Sequence, residues 1–190
     1  MTILGLIPAR GGSKRIPRKN LFMLAGKPLL QYTIDAAEAS RRLDHIVLSS
    51  DEPEIAALGL KNRIETWIRP FALAQDDTPM IDVLKYALEL KPADIVVLLQ
   101  PTSPLRTAAH IDAAIDLIED ADSVVSVVRE RHRLVRNGPA VLVTRRSVIE
   151  SGKLMGPECV FYEMDRRSSI DIDDLYDMAL AEYFIGMKDA

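Results

Sequence analysis

The chain has 190 residues, 48% of them hydrophobic and 27% charged, with a formal net charge of −4 and one cysteine. This length predicts a single domain with a substantial core. There is no apolar run of the roughly 18 residues that a membrane span requires, nor the apolar core of a signal peptide, and a lone Cys159 forms no internal disulfide and points to a reducing cytoplasm.

Taken in chain order, Thr2–Pro8 reads as a buried strand that ends abruptly in a glycine-containing loop carrying Arg10, Lys14, Arg15, Arg18 and Lys19. No Asp or Glu precedes Asp35, so the positive charge is concentrated in this one loop. A nucleic-acid binder would spread it over a face and interleave aromatics, whereas a confined cationic turn after a strand suits a small anion such as phosphate. Further strands are expected at His45–Ser49, Ile64–Ile68, Asp94–Gln100, Ser123–Val128, Ala140–Thr144 and about Glu158–Glu163. Between them Leu30/Ile34/Ala37, Ile81/Leu84/Leu88 and Ile111/Ile115/Ile118 recur at helical spacing. A final helix over about Asp174–Met187 is expected to bury Tyr176, Leu180, Tyr183, Phe184 and Met187 on one stripe. Strand–helix alternation of this kind predicts an α/β domain over 1–190, a three-layer, doubly wound, mostly parallel sheet that binds ligands beyond the carboxyl ends of its strands. The stretch Arg129–Gly138 is read as a short, irregular basic connection.

The strand ends hold the unusual chemistry. The second strand ends at Ser49-Ser50-Asp51-Glu52, and the central one at the proline-stiffened loop Gln100–Arg106. In the segment SSIDIDDLYD, Asp171 and Asp173 lie two residues apart, so in an extended chain both carboxylates point the same way. A hard dication such as Mg²⁺, completed by water and phosphate oxygens, would relieve their repulsion, while Asp174 and Asp177 suit the start of the following helix. Taken alone, the basic loop has a plainer explanation as solvated surface and the aspartates as helix caps. Together on one α/β scaffold they make the two halves of a nucleotide–Mg²⁺ site. GGSK has neither the spacing of a P-loop nor that of a dinucleotide fingerprint.

The ordered motifs IPARGGSKRIPRKN, SSDE, RPFALAQDD, LLQPTSPLR and SIDIDD resemble those of the acylneuraminate cytidylyltransferases, the CMP-sialic acid synthetases, from about Ile3 to Arg129 and again from Asn137 to the last helix. The resemblance implies a Rossmann-like nucleotide-diphospho-sugar transferase fold and transfer of CMP from CTP to a sialic-acid-like 2-keto sugar acid, with pyrophosphate leaving. It places Ala9, Arg10, Gly11, Lys14, Lys19, Asn20 and Arg69 at the nucleotide, with Arg10 and Lys19 neutralising the departing charge. Gln100, Thr102 and Ser103 would meet the acceptor, and Asp171 and Asp173 would ligate Mg²⁺. His45, His110 and His132 then take structural or surface roles. Other members carry several dozen more residues after the strand near Val128, forming an arm that reaches across a homodimer. Here RERHRLVR (129–136) would lie in a shortened remnant over 129–138, and its Arg129, Arg131, Arg133 and Arg136 could meet a sugar carboxylate. The short arm leaves room for a different acceptor or nucleotide, or for a non-catalytic nucleotide-binding homologue.

Overall fold

A computed structural model describes residues 1–131, 133–135 and 140–187. The elements follow in the order β1 (Ile3–Pro8), β2 (Met23–Leu24), β3 (Lys27–Pro28), α1 (Leu29–Glu38), β4 (His45–Ser50), α2 (Pro53–Lys61), β5 (Glu65–Ile68), α3 (Met80–Leu90), β6 (Ile95–Leu98), α4 (Ala108–Asp116), β7 (Ser123–Glu130), β8 (Arg133–Val135), β9 (Leu142–Arg145), α5 (Arg146–Glu150), β10 (Cys159–Met164) and α6 (Leu175–Gly186). Single 3₁₀ turns occupy Lys19–Leu21 and Phe71–Leu73.

The main sheet runs β10-β7-β9-β6-β1-β4-β5, with β8 paired to β7. β1 pairs in parallel with β4 and β6, β4 with β5, and β7 with β10. β9 alone among the inner strands runs antiparallel, to both β6 and β7. The sheet is therefore mostly parallel, as the alternation implied. Its central strands are buried on both faces, which explains their uninterrupted apolar sequences. In β1, Ile3 and Ile7 face one core with Leu30 and Ile34 of α1 and Ile111 and Ile115 of α4. Leu4 and Leu6 face the other with Val83, Leu84 and Leu88 of α3 and Ile149 of α5. Gly5 sits between them because a Cβ there would fall 2.8 Å from Leu43 Cδ1. Helices thus cover both faces, in three layers.

A third, smaller core decides where the functional loops go. Ile16 from the loop after β1, Leu24, Leu29, Leu105 from the loop after β6, Ile170, Ile172, and Met178 and Ala181 of α6 bury one another beyond the end of the sheet. The last helix departs from its expected stripe: Tyr176, Tyr183 and Met187 are 75%, 62% and 53% exposed, and Met178 and Ala181 are buried instead. Helix α6 is apolar nearly all round, so spacing alone could not choose a face. The packing of Ile170 and Ile172 against it did.

The basic connection also differs from expectation. β7 runs on to Glu130 and folds back into β8, Arg129 opposing Leu134, so this is a hairpin and not an irregular loop. Arg131 takes the turn with φ of 52°. His132, Arg136 and Asn137 lie outside the described residues. Among the described residues no helix is long and apolar enough to cross a membrane.

Candidate active site

Beyond the carboxyl ends of β1, β4 and β6 lies a cleft of about 500 Å³. Its walls are built from the loop after β1 (Arg10, Gly12, Ser13, Lys14, Arg15, Lys19 and Asn20), from Arg69, Asp76 and Met80, and from Gln100, Pro101, Thr102 and Asp173. A parallel sheet ends its central strands together, which brings residues from opposite ends of the chain to one crevice.

Neighbouring strands hold the loop after β1 in shape. The Gly11 N–H donates to Asp51 Oδ1 at 3.1 Å, and a Cβ on Gly11 would fall 2.8 Å from Glu52 Cβ. The sequence SSDE thus serves as the seat of the cationic loop. Asn20, nearly buried, donates from Nδ2 to the Arg10 carbonyl at 2.8 Å and closes the loop on itself. Arg18 enters the following 3₁₀ turn in the left-handed region, φ 55°.

Lys19 is half-buried and donates from Nζ to the Ile172 carbonyl at 2.6 Å. Burial lowers its pKa below that of an ordinary lysine, against the opposing pull of Asp173 and Asp171. Arg69 is 5% exposed, held by its own N–H to Ser50 O at 2.7 Å and by Nη2 to Ser49 O at 3.4 Å. Its Nε has no partner among the described residues, and burial lowers its pKa despite Asp51 nearby. A desolvated guanidinium on a cleft wall is a strong receptor for an anion.

The loop after β6 owes its shape to Arg106. This side chain is 2% exposed and donates to Gln100 O at 3.1 Å, Ala140 O at 2.7 Å and Thr33 Oγ1 at 2.7 Å. Burial pushes its pKa down to about 9, so it stays charged at neutrality.

Ile170 and Ile172 point into the third core, so the alternating Asp171 and Asp173 point away from it. The Ile172 N–H donates to Thr102 O at 2.8 Å, fixing the segment to the loop after β6. Asp173 faces the main cleft and pairs with Arg15 Nη1 at 2.7 Å. Asp171 lines a second cavity of about 150 Å³ with Glu130, Arg166, Ser169 and Asp177. Burial raises the Asp171 pKa above the ordinary carboxylate range, a Thr102 hydrogen bond opposes that, and the charge of Asp173 adds to it. Asp174 and Asp177 form a capping box at the start of α6, as expected from sequence.

Among the described residues no three His, Cys, Asp or Glu side chains gather as a metal cluster. Asp171 Oδ1 is nevertheless buried without a partner, and Asp173 stands close enough to shift its titration. A coupled pair of hard oxygen donors with one oxygen orphaned fits a dication whose remaining ligands are water and phosphate.

Of the residues singled out by sequence, Arg10, Lys14, Lys19, Asn20, Arg69, Gln100, Thr102 and Asp173 share the main cleft. Ala9, Gly11, Ser103 and Asp171 are not on its wall. Ala9 and Ser103 are buried behind it, Ala9 donating to Ser49 O at 2.9 Å and Ser103 Oγ without a partner among the described residues. Arg129 is committed to Glu163 through two hydrogen bonds, at 2.8 and 2.6 Å. His110 caps α4, its Nδ1 accepting from Thr107 N–H at 3.2 Å. Asp76 was missed. It bridges Arg10 Nη1, at 2.7 Å, and Lys14. The only sequence signal was its place in RPFALAQDD.

A family model described as Cytidylyltransferase matches residues 4–174. The chain is 32% identical over 213 aligned positions, 94% of its own length, to the N-acylneuraminate cytidylyltransferase of Escherichia coli O18:K1:H7, and covers 51% of that protein. It is 41% identical over 134 positions, 67% of its length, to the CMP-N,N'-diacetyllegionaminic acid synthase of Legionella pneumophila, covering 58% of it. The chain thus spans about half the length of the curated relatives it matches. Its fold is similar to that of CMP:2-keto-3-deoxy-manno-octonic acid synthetase in complex with CTP, with a TM-score of 0.81 at 14% identity, covering 99% of this chain and 100% of the other.

Proposed function

Because the chain belongs to the cytidylyltransferase family, we propose that it transfers CMP from CTP to a sialic-acid-like 2-keto sugar acid, releasing pyrophosphate. One observation carries this reading: Arg10, Lys14, Lys19 and Arg69 share a cleft with Asp173, so that cations and a metal-binding carboxylate would meet on one triphosphate. The names of the Escherichia coli and Legionella relatives support a sugar-acid acceptor.

In this reading the acceptor's anomeric hydroxyl attacks the α-phosphorus in line as the bond to the β-phosphate breaks. Catalysis is then largely positioning and charge stabilisation. Arg10 and Lys14 hold the outer phosphates, and Lys19, fixed by Ile172, neutralises the leaving pyrophosphate. Arg69, desolvated and rigid, adds a charge whose field water screens little. Asp171 and Asp173 would hold Mg²⁺, which, when bound, supplies charge to the phosphate oxygens. The small cavity beside Asp171, with Ser169, Arg166 and Glu130, offers hydrogen-bonding groups to a polyhydroxylated acceptor approaching from the metal side. Reducing cytoplasm and homodimeric assembly belong to the same reading.

The test is pyrophosphate release with each of the four nucleoside triphosphates, Mg²⁺ and a panel of sugar acids. Turnover with CTP and a 2-keto sugar acid is expected. Release with no pair, or without preference for CTP, overturns the reading.

A further inference from the structure

Asp76 stands in the segment between the Phe71–Leu73 turn and α3 and lines the cleft beside the cationic loop. Its two oxygens are divided between two cations: Oδ1 accepts from Arg10 Nη1 at 2.7 Å and Oδ2 meets Lys14 Nζ. That is how a phosphate would use the same pair. The pairing with Lys14 first, and Arg10 after it, holds the Asp76 carboxyl below the ordinary aspartate range.

The segment that carries Asp76 is lightly anchored. None of residues 71–79 is buried. Its hydrogen bonds are to near neighbours in sequence: Leu73 N–H to Pro70 O at 2.9 Å, Gln75 Nε2 to Phe71 O at 2.7 Å, Thr78 N–H to Gln75 O at 3.3 Å, and Pro79 O from Asp82 N–H at 3.0 Å. Among the described residues, the ion pairs of Asp76 are its polar links to the loop after β1.

We propose that Asp76 is a built-in competitor for the polyphosphate: its carboxylate occupies the cations the phosphates need, and the ligand binds by taking them over and freeing residues 71–79. This rests on the reading of the cleft as a nucleotide site. Both ion pairs are solvent-exposed and individually weak, so a multiply charged phosphate displaces them easily. Because the carboxylate is tethered beside its partners, it nevertheless competes at high effective concentration. Asp76 thereby sets how tightly the loop holds substrate and how readily it lets pyrophosphate go.

The test is calorimetric titration of the full chain with inorganic pyrophosphate and with CTP, for wild type, Asp76→Asn and Asp77→Asn. Asp76→Asn should bind pyrophosphate about three- to tenfold more tightly, the range expected from two exposed charge pairs. Asp77→Asn removes the same charge one residue away and should stay within about twofold of wild type. Equal or weaker binding by Asp76→Asn, or an equal gain in Asp77→Asn, overturns the proposal. A second measurement does not depend on affinity: pyrophosphate added to wild type should speed amide exchange in residues 71–79, and unchanged or slower exchange overturns it too. If wild type binds neither ligand, the nucleotide reading itself fails and takes this inference with it.

Discussion

The Lys19 ammonium donates to the Ile172 carbonyl at 2.6 Å, across a sequence separation of 153 residues. The same residue is anchored on its other side, the Ile172 N–H donating to Thr102 O at 2.8 Å. One residue near the C-terminus thus sets the spacing between the cationic loop and the loop after the central strand. In the proposed reading, replacing Lys19 with Ala removes both a phosphate ligand and this tie. Turnover should fall by about two orders of magnitude with every nucleoside triphosphate alike, since the ammonium addresses phosphate and not base. Stability should fall by about 1 kcal/mol, or about 2–4 °C in the melting temperature. A base-dependent loss in steady-state rates would contradict this assignment.

Lys19 should also shape the alkaline limb of the pH profile. Raising the pH removes its proton, and a neutral amine no longer attracts phosphate. Because burial lowers the pKa in the folded protein, kcat/KM should begin to fall below the ordinary lysine value of 10.5. In Lys19→Arg the cation persists, and any remaining activity should lose that limb. A limb unchanged by the substitution would assign it to another group.

Asp171→Asn should cut turnover by orders of magnitude without lowering the melting temperature. The wild-type carboxylate is desolvated, with one oxygen unpartnered and its pKa raised, so a neutral amide of the same shape relieves a cost while removing the proposed metal ligand. Wild-type rates at limiting Mg²⁺, or a melting temperature several degrees lower, would show that the side chain is structural.

Arg106→Ala should be the most destabilising of these substitutions, by about 3 kcal/mol in urea unfolding. It leaves Gln100 O, Ala140 O and Thr33 Oγ1 without their common donor inside the protein. Because the loop carrying Gln100 and Thr102 loses its brace, CTP-dependent turnover in the folded fraction should fall as well. Unchanged stability would mean that water replaces the guanidinium.

Gly11→Ala should act on the ligand more than on the fold. The added methyl would meet the Glu52 side chain at 2.8 Å and push the loop off its seat at Asp51. The KM for CTP should rise about tenfold, with less than about 1 kcal/mol lost from stability. A normal KM would show that the backbone at Glu52 gives way and the loop keeps its seat.

Several of these residues were visible in the sequence because local rules govern them. The capping box at Asp174 and Asp177 needs only neighbours three residues apart, and the continuous apolar runs of β1 and β6 need only two covered faces. Asp76 carried no such signal. Its partners lie some sixty residues earlier, in a segment that by itself reads as a polar connection. The exposed Tyr176 and Tyr183 were misread for the converse reason: α6 is apolar nearly all round, so no periodicity could say which side the protein would bury. The hairpin of β7 and β8 escaped notice because charged and apolar residues are mixed in it without a strand period, and its pairing comes from β7 continuing past its buried part.

The amino-acid order alone determined an alternating α/β chain, a cationic loop after the first strand, and two aspartates two residues apart before the last helix. Those features follow from interactions within a few residues of one another. Only the tertiary structure decided which side chains share a cleft. It set Asp173 on the wall of the main cleft and Asp171 in a second cavity, and it set Asp76 against Arg10 and Lys14. The physical reason is the small third core: Ile16, Leu105, Ile170 and Ile172 come from distant parts of the chain, and their mutual burial, which no local pattern encodes, carries the functional loops together.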